Sequence, residues 1–402
     1  MRYDEILSKL ISFDTSNEKG CKECYDYIKS LLKNNGFIVE SIHKKNGNPG
    51  ILWATLPSSL NKNSTGGVLF SGHLDVVPCS DSGWDTPPFQ SVQKDGKIFA
   101  RGSCDMKGFI SCVLANVLDL KTQKTKEPIH LCFSFDEESE MLAIKSSAPL
   151  LKKYAPEWCW VGEPSSMEMI ASHRGCVTGM IEVKGVAAHG STPNKGISAI
   201  ETSLDIIANI RNIAEEKKQA PFPDSPFECP YTVFNFGQIN GGNAPNTVAD
   251  FCQFSYQYRP HPGENISEIN KRIDDFILVL NEKFRNVPGA GVSSHRRFID
   301  DDLNCENTKA ISFLSQLLGS RKIKNENYVT EAGFIQKKGI PTVVCGPGSI
   351  EQAHKNNEFV PVAELKKCNA MVLTLCQFLC NNDKNLTLQQ FVSKKTNNFF
   401  ER

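Results

Sequence analysis

A chain of 402 residues with 40% hydrophobic content has material for two compact cores and too much apolar character for disorder. Lysine plus arginine and aspartate plus glutamate balance at 45 each, so no basic field recruits nucleic acid or anionic lipid, and a small molecule is the expected partner. No apolar run approaches the roughly 20 residues that cross a bilayer, and the fifteen cysteines, scattered singly through apolar runs, suit a reducing compartment, so the expected location is cytoplasmic and no membrane partner is expected.

Residues 1–35 predict two helices, with Leu7, Leu10 and Ile11 on one apolar face and Tyr27, Ile28, Leu31 and Leu32 on another. Extended segments follow over 37–42 and 51–56. Short apolar runs then end abruptly in polar clusters: 68–70 before Ser71-Gly72-His73, 129–135 before Asp136-Glu137-Glu138, 158–161 before Gly162-Glu163-Pro164, and 342–345 before Gly346-Pro347-Gly348. With helical stretches such as 106–120 between them, these runs predict an α/β fold with a mixed, mostly parallel sheet flanked by helices. The polar clusters would lie at its carboxyl edge, where such sheets bind ligands.

From residue 175 the pattern changes to strand 177–183, helix 197–213, strands 232–239 and 251–258, helix 266–284 and an extended piece ending near 297. That is the β-α-β-β-α-β order of a ferredoxin-like α+β unit. The first pattern resumes with a helix over 308–318 and a strand over 341–345. The expected organisation is a discontinuous domain of 1–174 and 291–402 with an inserted domain of 175–290.

The acids and histidines at the predicted strand ends are His73 and Asp75 in SGHLDVVP, Asp105 in RGSCDMKG, the Glu137-Glu138 pair, Glu163 in VGEPSS and His354 in GPGSIEQAH. One His-x-Asp or one pair of glutamates is ordinarily a solvated surface feature. Five such clusters on one sheet edge argue for a shared site. Nitrogen and oxygen donors of this kind suit zinc, cobalt or manganese, and one shared carboxylate can hold two ions roughly 3.5 to 4 Å apart. The single CxxC of Cys21 and Cys24 has no second pair and is read as packing. Gly346-Pro347-Gly348 is not a phosphate loop, because no GxxxxGK[ST] pattern accompanies it.

In order and wording these clusters resemble the M20-type metallopeptidases and amidohydrolases, and within them the acetylornithine deacetylase branch. SGHLDVVP, GWDTPPF, RGSCDMKGF, SFDEES, GEPS, HRG, AAHGSTP, INGGNAPN, YRPHPGE, TEAGF and GPGSIEQAH carry the resemblance, which spans about residues 5 to 380. It implies a zinc-peptidase-like catalytic domain with an inserted lid and dimerisation domain. It further implies two divalent ions, zinc or alternatively cobalt, with His73 and Glu163 on one, Glu138 and His354 on the other, and Asp105 bridging. Asp75 would orient the His73 imidazole, and Glu137 would serve as general base and then general acid. His189 would donate to the oxyanion from the lid of a partner subunit, which implies a homodimer. Arg259 and Asn246 would hold the substrate carboxylate, with Gly346 turning the backbone beside the ligand.

The reaction implied is removal of the acetyl group from N2-acetyl-L-ornithine to give L-ornithine and acetate, a step of arginine biosynthesis. Deacylases of N-acetyl-citrulline or succinyl-diaminopimelate, and dipeptidases, share every one of these catalytic residues. A protein that only bound metal and ligand would not need Glu137. Two stretches depart from the family wording, Ser139 to Ala143, where many members are glycine-rich, and Thr247 to Asp250, which lacks a usual proline. Both bear on substrate fit. Cys104, beside Asp105, is expected to be a packed neighbour.

Overall fold

The computed structural model describes residues 1–393 apart from 61, 81, 306–307, 382 and 384–385. The four apolar runs that end in polar clusters form strands buried along their whole length, Val68–His73, Ile129–Ser134, Trp158–Pro164 and Thr342–Gly346. A strand without a polar face needs cover on both sides, and these four form the parallel centre of the large sheet. From edge to edge its order is Ile38–His43, Pro49–Leu56, Ile129–Ser134, Val68–His73, Trp158–Pro164, Thr342–Gly346, Met169–His173 and Leu303–Asn304, with Ile323–Glu326 paired to Met169–His173. Pairing turns antiparallel on the flanks. The sheet is therefore mixed, and parallel where it carries the polar clusters.

The helix Lys107–Val117 is buried on every side, which explains why the stretch reads as apolar without a polar face. Beyond it the chain tightens into a 3-10 turn, Leu118–Thr122. A small antiparallel sheet of Val92–Lys94, Lys97–Phe99 and Phe359–Pro361 was not among the sequence-based expectations. Its strands are only three residues long, too short for a periodic signal.

The chain divides into two compact units, one of Met1–Ser172, Leu303–Lys324 and Thr330–Arg402, the other of His173–Asp302 and Asn325–Val329. The second unit is a four-stranded antiparallel sheet in the order Val233–Gly241, Phe251–Arg259, Cys176–Lys184, Gly291–Asp300. Cys176–Lys184 and Phe251–Arg259 alternate between buried and part-exposed residues, as strands covered on one face do. The covering helices are Ala199–Gln219, burying Ile206, Ile210 and Ile213, and Ile266–Phe284, burying Ile269, Ile273, Ile277 and Leu280. Ser198 and Asn265 cap them by accepting from the N–H groups of Glu201 and Glu268.

The expected boundary at 290 is too early. Gly291–Asp300 pairs with Cys176–Lys184 from Gly291 opposite Lys184 to Asp300 opposite Cys176, so these residues complete the inserted sheet.

Candidate active site

Parallel strands leave the sheet at one edge, and there the side chains of the first unit's polar clusters converge. His73 closes its strand opposite Ser134, and Glu163 stands near the end of Trp158–Pro164. Asp105 lies in the loop that enters the helix Lys107–Val117, and Glu138 follows Ile129–Ser134. His354 follows the 3-10 turn Ile350–Gln352 with a left-handed φ of 62°.

His73 Nε2 lies 2.9 Å from Asp105 Oδ1 and 3.6 Å from Glu163 Oε1. His354 Nε2 lies 3.4 Å from Asp105 Oδ2 and 2.9 Å from Glu138 Oε2. Two donor sets thus share Asp105, one oxygen facing each, and within each set the donor atoms lie within 4.8 Å of one another. The first set is buried, whereas the His354 side chain is 55% exposed.

Charge here is crowded. Burial pushes Glu163 up to about 7 against the pull of the His73 charge. Burial and the carboxylates of Glu163, Glu138 and Asp105 push Glu137 well above the usual carboxyl range, although His73 opposes them. Burial, joined by Asp105, also raises Glu138, while His354 holds it down. Burial disfavours the charge on His73, yet Glu163 and Asp105 outweigh it and hold the imidazole well above its ordinary value. Hydrogen bonds to Asp105 and Glu138 raise His354 to about 10. Burial raises Asp105, but the two histidines overcome it and lower its pKa. An excess of acid around two imidazoles, with donors spaced to converge on two points, fits a pair of divalent cations.

Asp75 requires a correction. The His73 Nδ1 is 2.9 Å from the backbone carbonyl of Asp75 and 3.8 Å from its carboxylate. A carbonyl only accepts, so Nδ1 donates to it, and the backbone fixes the tautomer. The carboxylate instead accepts from the N–H of Glu137 at 3.2 Å and of Glu138 at 3.0 Å. It holds the turn that presents the glutamate pair.

Gly346 is buried and packs against the chain that carries Glu163. A Cβ there would lie 1.9 Å from the carbonyl oxygen of Gly162, so glycine permits this close backbone approach. Cys104 is a packed neighbour, its thiol donating to the Ser349 carbonyl at 3.4 Å and burial pushing its pKa well above the ordinary value.

The other three expected site residues lie in the second unit, and that unit separates them. His189 is bridged to Thr247, and Gly190 donates to the Asn246 carbonyl at 2.7 Å, so His189 and Asn246 are neighbours. Both lie beyond the end of the sheet at which Phe251 faces Lys184. Arg259 ends the same strand at the opposite end, facing Val233. Eight steps of extended chain place it roughly 27 Å from Phe251. Arg259 and Asn246 of one chain therefore lie toward opposite ends of the inserted sheet. Arg259 Nε donates to Gln257 at 3.1 Å, while its Nη1 is buried and has no partner among the described residues.

Two further residues were not singled out from the sequence. Glu358, 1% exposed, binds the backbone of the loop that carries Asp105. Glu331, in TEAGF, is also buried, and burial pushes its carboxyl up to about 8, with Ser134 beside it. The sequence signal for Glu331 was its place inside TEAGF, and for Glu358 its place four residues after His354.

The sequence model of Peptidase family M20/M25/M40 matches residues 69–377. Among solved structures, the chain is similar to the aminopeptidase PepT from Bacillus cereus, with 20% identity, 94% of this chain and 98% of that chain covered, and a TM-score of 0.71. It is also similar to an M20 family metallo-carboxypeptidase, Sso-CP2, from Sulfolobus solfataricus, at 16% identity, coverage of 94% and 99%, and a TM-score of 0.69. The dipeptidase Dug1p from Saccharomyces cerevisiae shares 15% identity over 97% of this chain and 96% of that chain, with a TM-score of 0.67. At these identities the likeness is one of fold.

Proposed function

This chain belongs to peptidase family M20/M25/M40, a family of hydrolases, and from that premise we propose that it is a two-metal amidohydrolase that deacetylates N2-acetyl-L-ornithine. The observation that supports the chemistry best is Asp105, with one oxygen toward His73 and Glu163 and the other toward His354 and Glu138. Two divalent cations on these donor sets, zinc before cobalt, would polarise the amide carbonyl and lower the pKa of water.

The chain's own residues do the rest. Glu137, presented by the turn that Asp75 holds, takes the proton from the attacking water and delivers it to the departing amine nitrogen. His73 keeps Nε2 directed at the first donor set because its Nδ1 proton is committed to the Asp75 carbonyl.

The length of the strand Phe251–Arg259, at whose far end from Arg259 His189 and Asn246 lie, supports a homodimer. In it Arg259 of one subunit would meet the substrate carboxylate, and His189 and Asn246 would come from the other. The edge strand of the inserted unit and the start of its helix Ala199–Gln219 offer a surface for this. Val233–Gly241 is an edge strand, and Ile239, Ile200 and Leu204 are exposed at 52%, 36% and 54%. No helix among the described residues is long and apolar enough to cross a membrane, and a cytoplasmic location is part of the same reading.

The acetylornithine assignment is supported by the wording of GSCDMKGF and GPGSIEQAH. A peptide substrate is the second reading, favoured by the peptidase titles of the similar structures. The test is release of free amine from N-acetyl-ornithine, N-acetyl-citrulline, N-acetyl-methionine, N-succinyl-diaminopimelate and a dipeptide, with zinc or cobalt supplied and Glu137→Ala as control. Preferential turnover of N-acetyl-ornithine, lost in the control, is expected. Preference for the dipeptide moves the assignment to the second reading, and zinc binding without any turnover rejects the amidohydrolase.

A further inference from the structure

Asp105 and His354 sit on two loops that adjoin neighbouring strands. The Asp105 loop follows Lys97–Phe99, the His354 loop precedes Phe359–Pro361, and Phe99 faces Phe359 across the pair. One buried ion pair ties the loops together. Glu358 Oε1 accepts from the N–H of Cys104 at 2.8 Å and of Asp105 at 3.0 Å. Its Oε2 accepts from the N–H of Gly102 at 3.0 Å and from Arg101 Nη1 at 2.7 Å. The same Arg101 nitrogen donates to the Lys355 carbonyl at 3.3 Å, and the Ala100 N–H donates to the Glu358 carbonyl at 3.0 Å. Both side chains are nearly inaccessible, at 3% for Arg101 and 1% for Glu358.

The two donor sets are supported differently. His73 and Glu163 belong to strands of the central sheet and are placed by its parallel ladder. His354 belongs to no strand or helix, and its side chain is half exposed. What fixes its loop is the Arg101–Glu358 pair at Lys355 and Glu358, together with the side chains of Asn356 and Asn357, which bond to Ser80, Ser82, Gly83 and Asp85.

We infer that Arg101 and Glu358 are a positioning pair for one half of the metal centre. The cation site of Asp105, Glu138 and His354 depends on them, and the site of His73, Asp105 and Glu163 depends on them much less. This rests on the two-metal reading above. Neither residue touches substrate; they act through the loops that carry the donors. A glutamine at 358 would keep the side chain's size and one acceptor oxygen, but its amide nitrogen cannot accept, so the two donors at the other oxygen would lose their partner. The buried guanidinium would also lose its counter-charge. Residues that support metal ligands from behind in this way are each worth about 10- to 100-fold in metal affinity.

The test uses the full chain, stripped of metal and titrated with zinc against a chromophoric chelator, as wild type, Glu358→Gln, His354→Ala and the double variant. Wild type is expected to bind two ions. Glu358→Gln should weaken one of them about 10- to 100-fold and leave the other within about threefold. In the His354→Ala background, which retains one ion, adding Glu358→Gln should change its affinity by less than about threefold, the signature of coupling through His354. Thermal unfolding of the metal-free variants reports whether they fold. Should Glu358→Gln fail to fold, Arg101→Lys, which keeps the charge, is read for the same selective loss. Equal weakening of both ions, an unchanged second ion, or the same loss with His354 absent overturns the inference. A wild type that binds no zinc overturns the two-metal reading itself.

Discussion

Replacing Asp75 with asparagine separates two ways in which an acid two residues beyond His73 can serve the site. The carboxylate oxygens accept from the N–H groups of Glu137 and Glu138 at 3.2 and 3.0 Å, while the imidazole donates to the backbone carbonyl. Asparagine keeps that carbonyl and one acceptor oxygen, but its amide nitrogen cannot accept. One of the two N–H groups is then left unpaired beside a side chain that is almost fully buried. An orphaned buried donor costs about 1–3 kcal/mol. If about 2 kcal/mol of this appears as displacement of Glu137 from its working position, kcat falls roughly thirtyfold. The assay is kcat and KM on the preferred substrate of the panel, with the protonation pattern of the histidine rings followed by 15N NMR. A fall in kcat with the His73 tautomer unchanged is expected. A changed tautomer with kcat intact would refute the assignment of the carboxylate to the glutamate turn.

Glu137→Gln should lower kcat by about 10²- to 10⁴-fold, the usual worth of a general acid and base, while zinc stoichiometry measured by atomic absorption stays at the wild-type value. Zinc affinity should climb with pH, because Glu163, raised to about 7, and His354, raised to about 10, must shed protons before they can hold a cation. Calorimetry in buffers of different ionisation heat counts those protons, and zinc binding at pH 6 without proton release contradicts the geometry. The metal-free protein should respond in the opposite sense. Glu163 has a folded pKa above its ordinary 4.5, so its contribution is fully present below 4.5 and is lost as pH rises through 7; melts in chelator should show the fold weakening across that window. Mixing inactive His189→Ala with inactive Glu137→Ala after dissociation should restore part of the turnover if sites are completed between subunits, and no recovery would place His189 within its own chain's site.

Much of the catalytic unit is legible in the sequence because burial on both faces leaves a plain mark. Val68–His73, Ile129–Ser134, Trp158–Pro164 and Thr342–Gly346 are buried throughout and read as apolar runs that end in polar residues, and parallel strands bring those ends to one edge of the sheet. That is why His73, Glu138 and Glu163 are legible from the sequence as one polar cluster. The inserted unit is legible for the opposite reason, since its two central strands alternate and its helices bury one stripe.

Other features depended on where distant segments meet. Asp75 lies two residues from His73, and the family resemblance implied that it orients the imidazole; the turn of Glu137 and Glu138, more than sixty residues later, takes its carboxylate instead. Arg259 and Asn246 are close in sequence, yet a nine-residue strand stands between them and carries them to opposite ends of the inserted sheet. An extended piece ending near 297 is legible in the sequence, but only its pairing with Cys176–Lys184 carries the inserted unit past the expected boundary at 290. Glu358 was invisible beside His354 because its four donors belong to a loop some 250 residues earlier. Local periodicity, set by burial along one segment, determined the elements and the edge on which the acids collect. Hydrogen bonds between segments far apart in the chain, settled only when those segments pack, decided which atom of each acid does what.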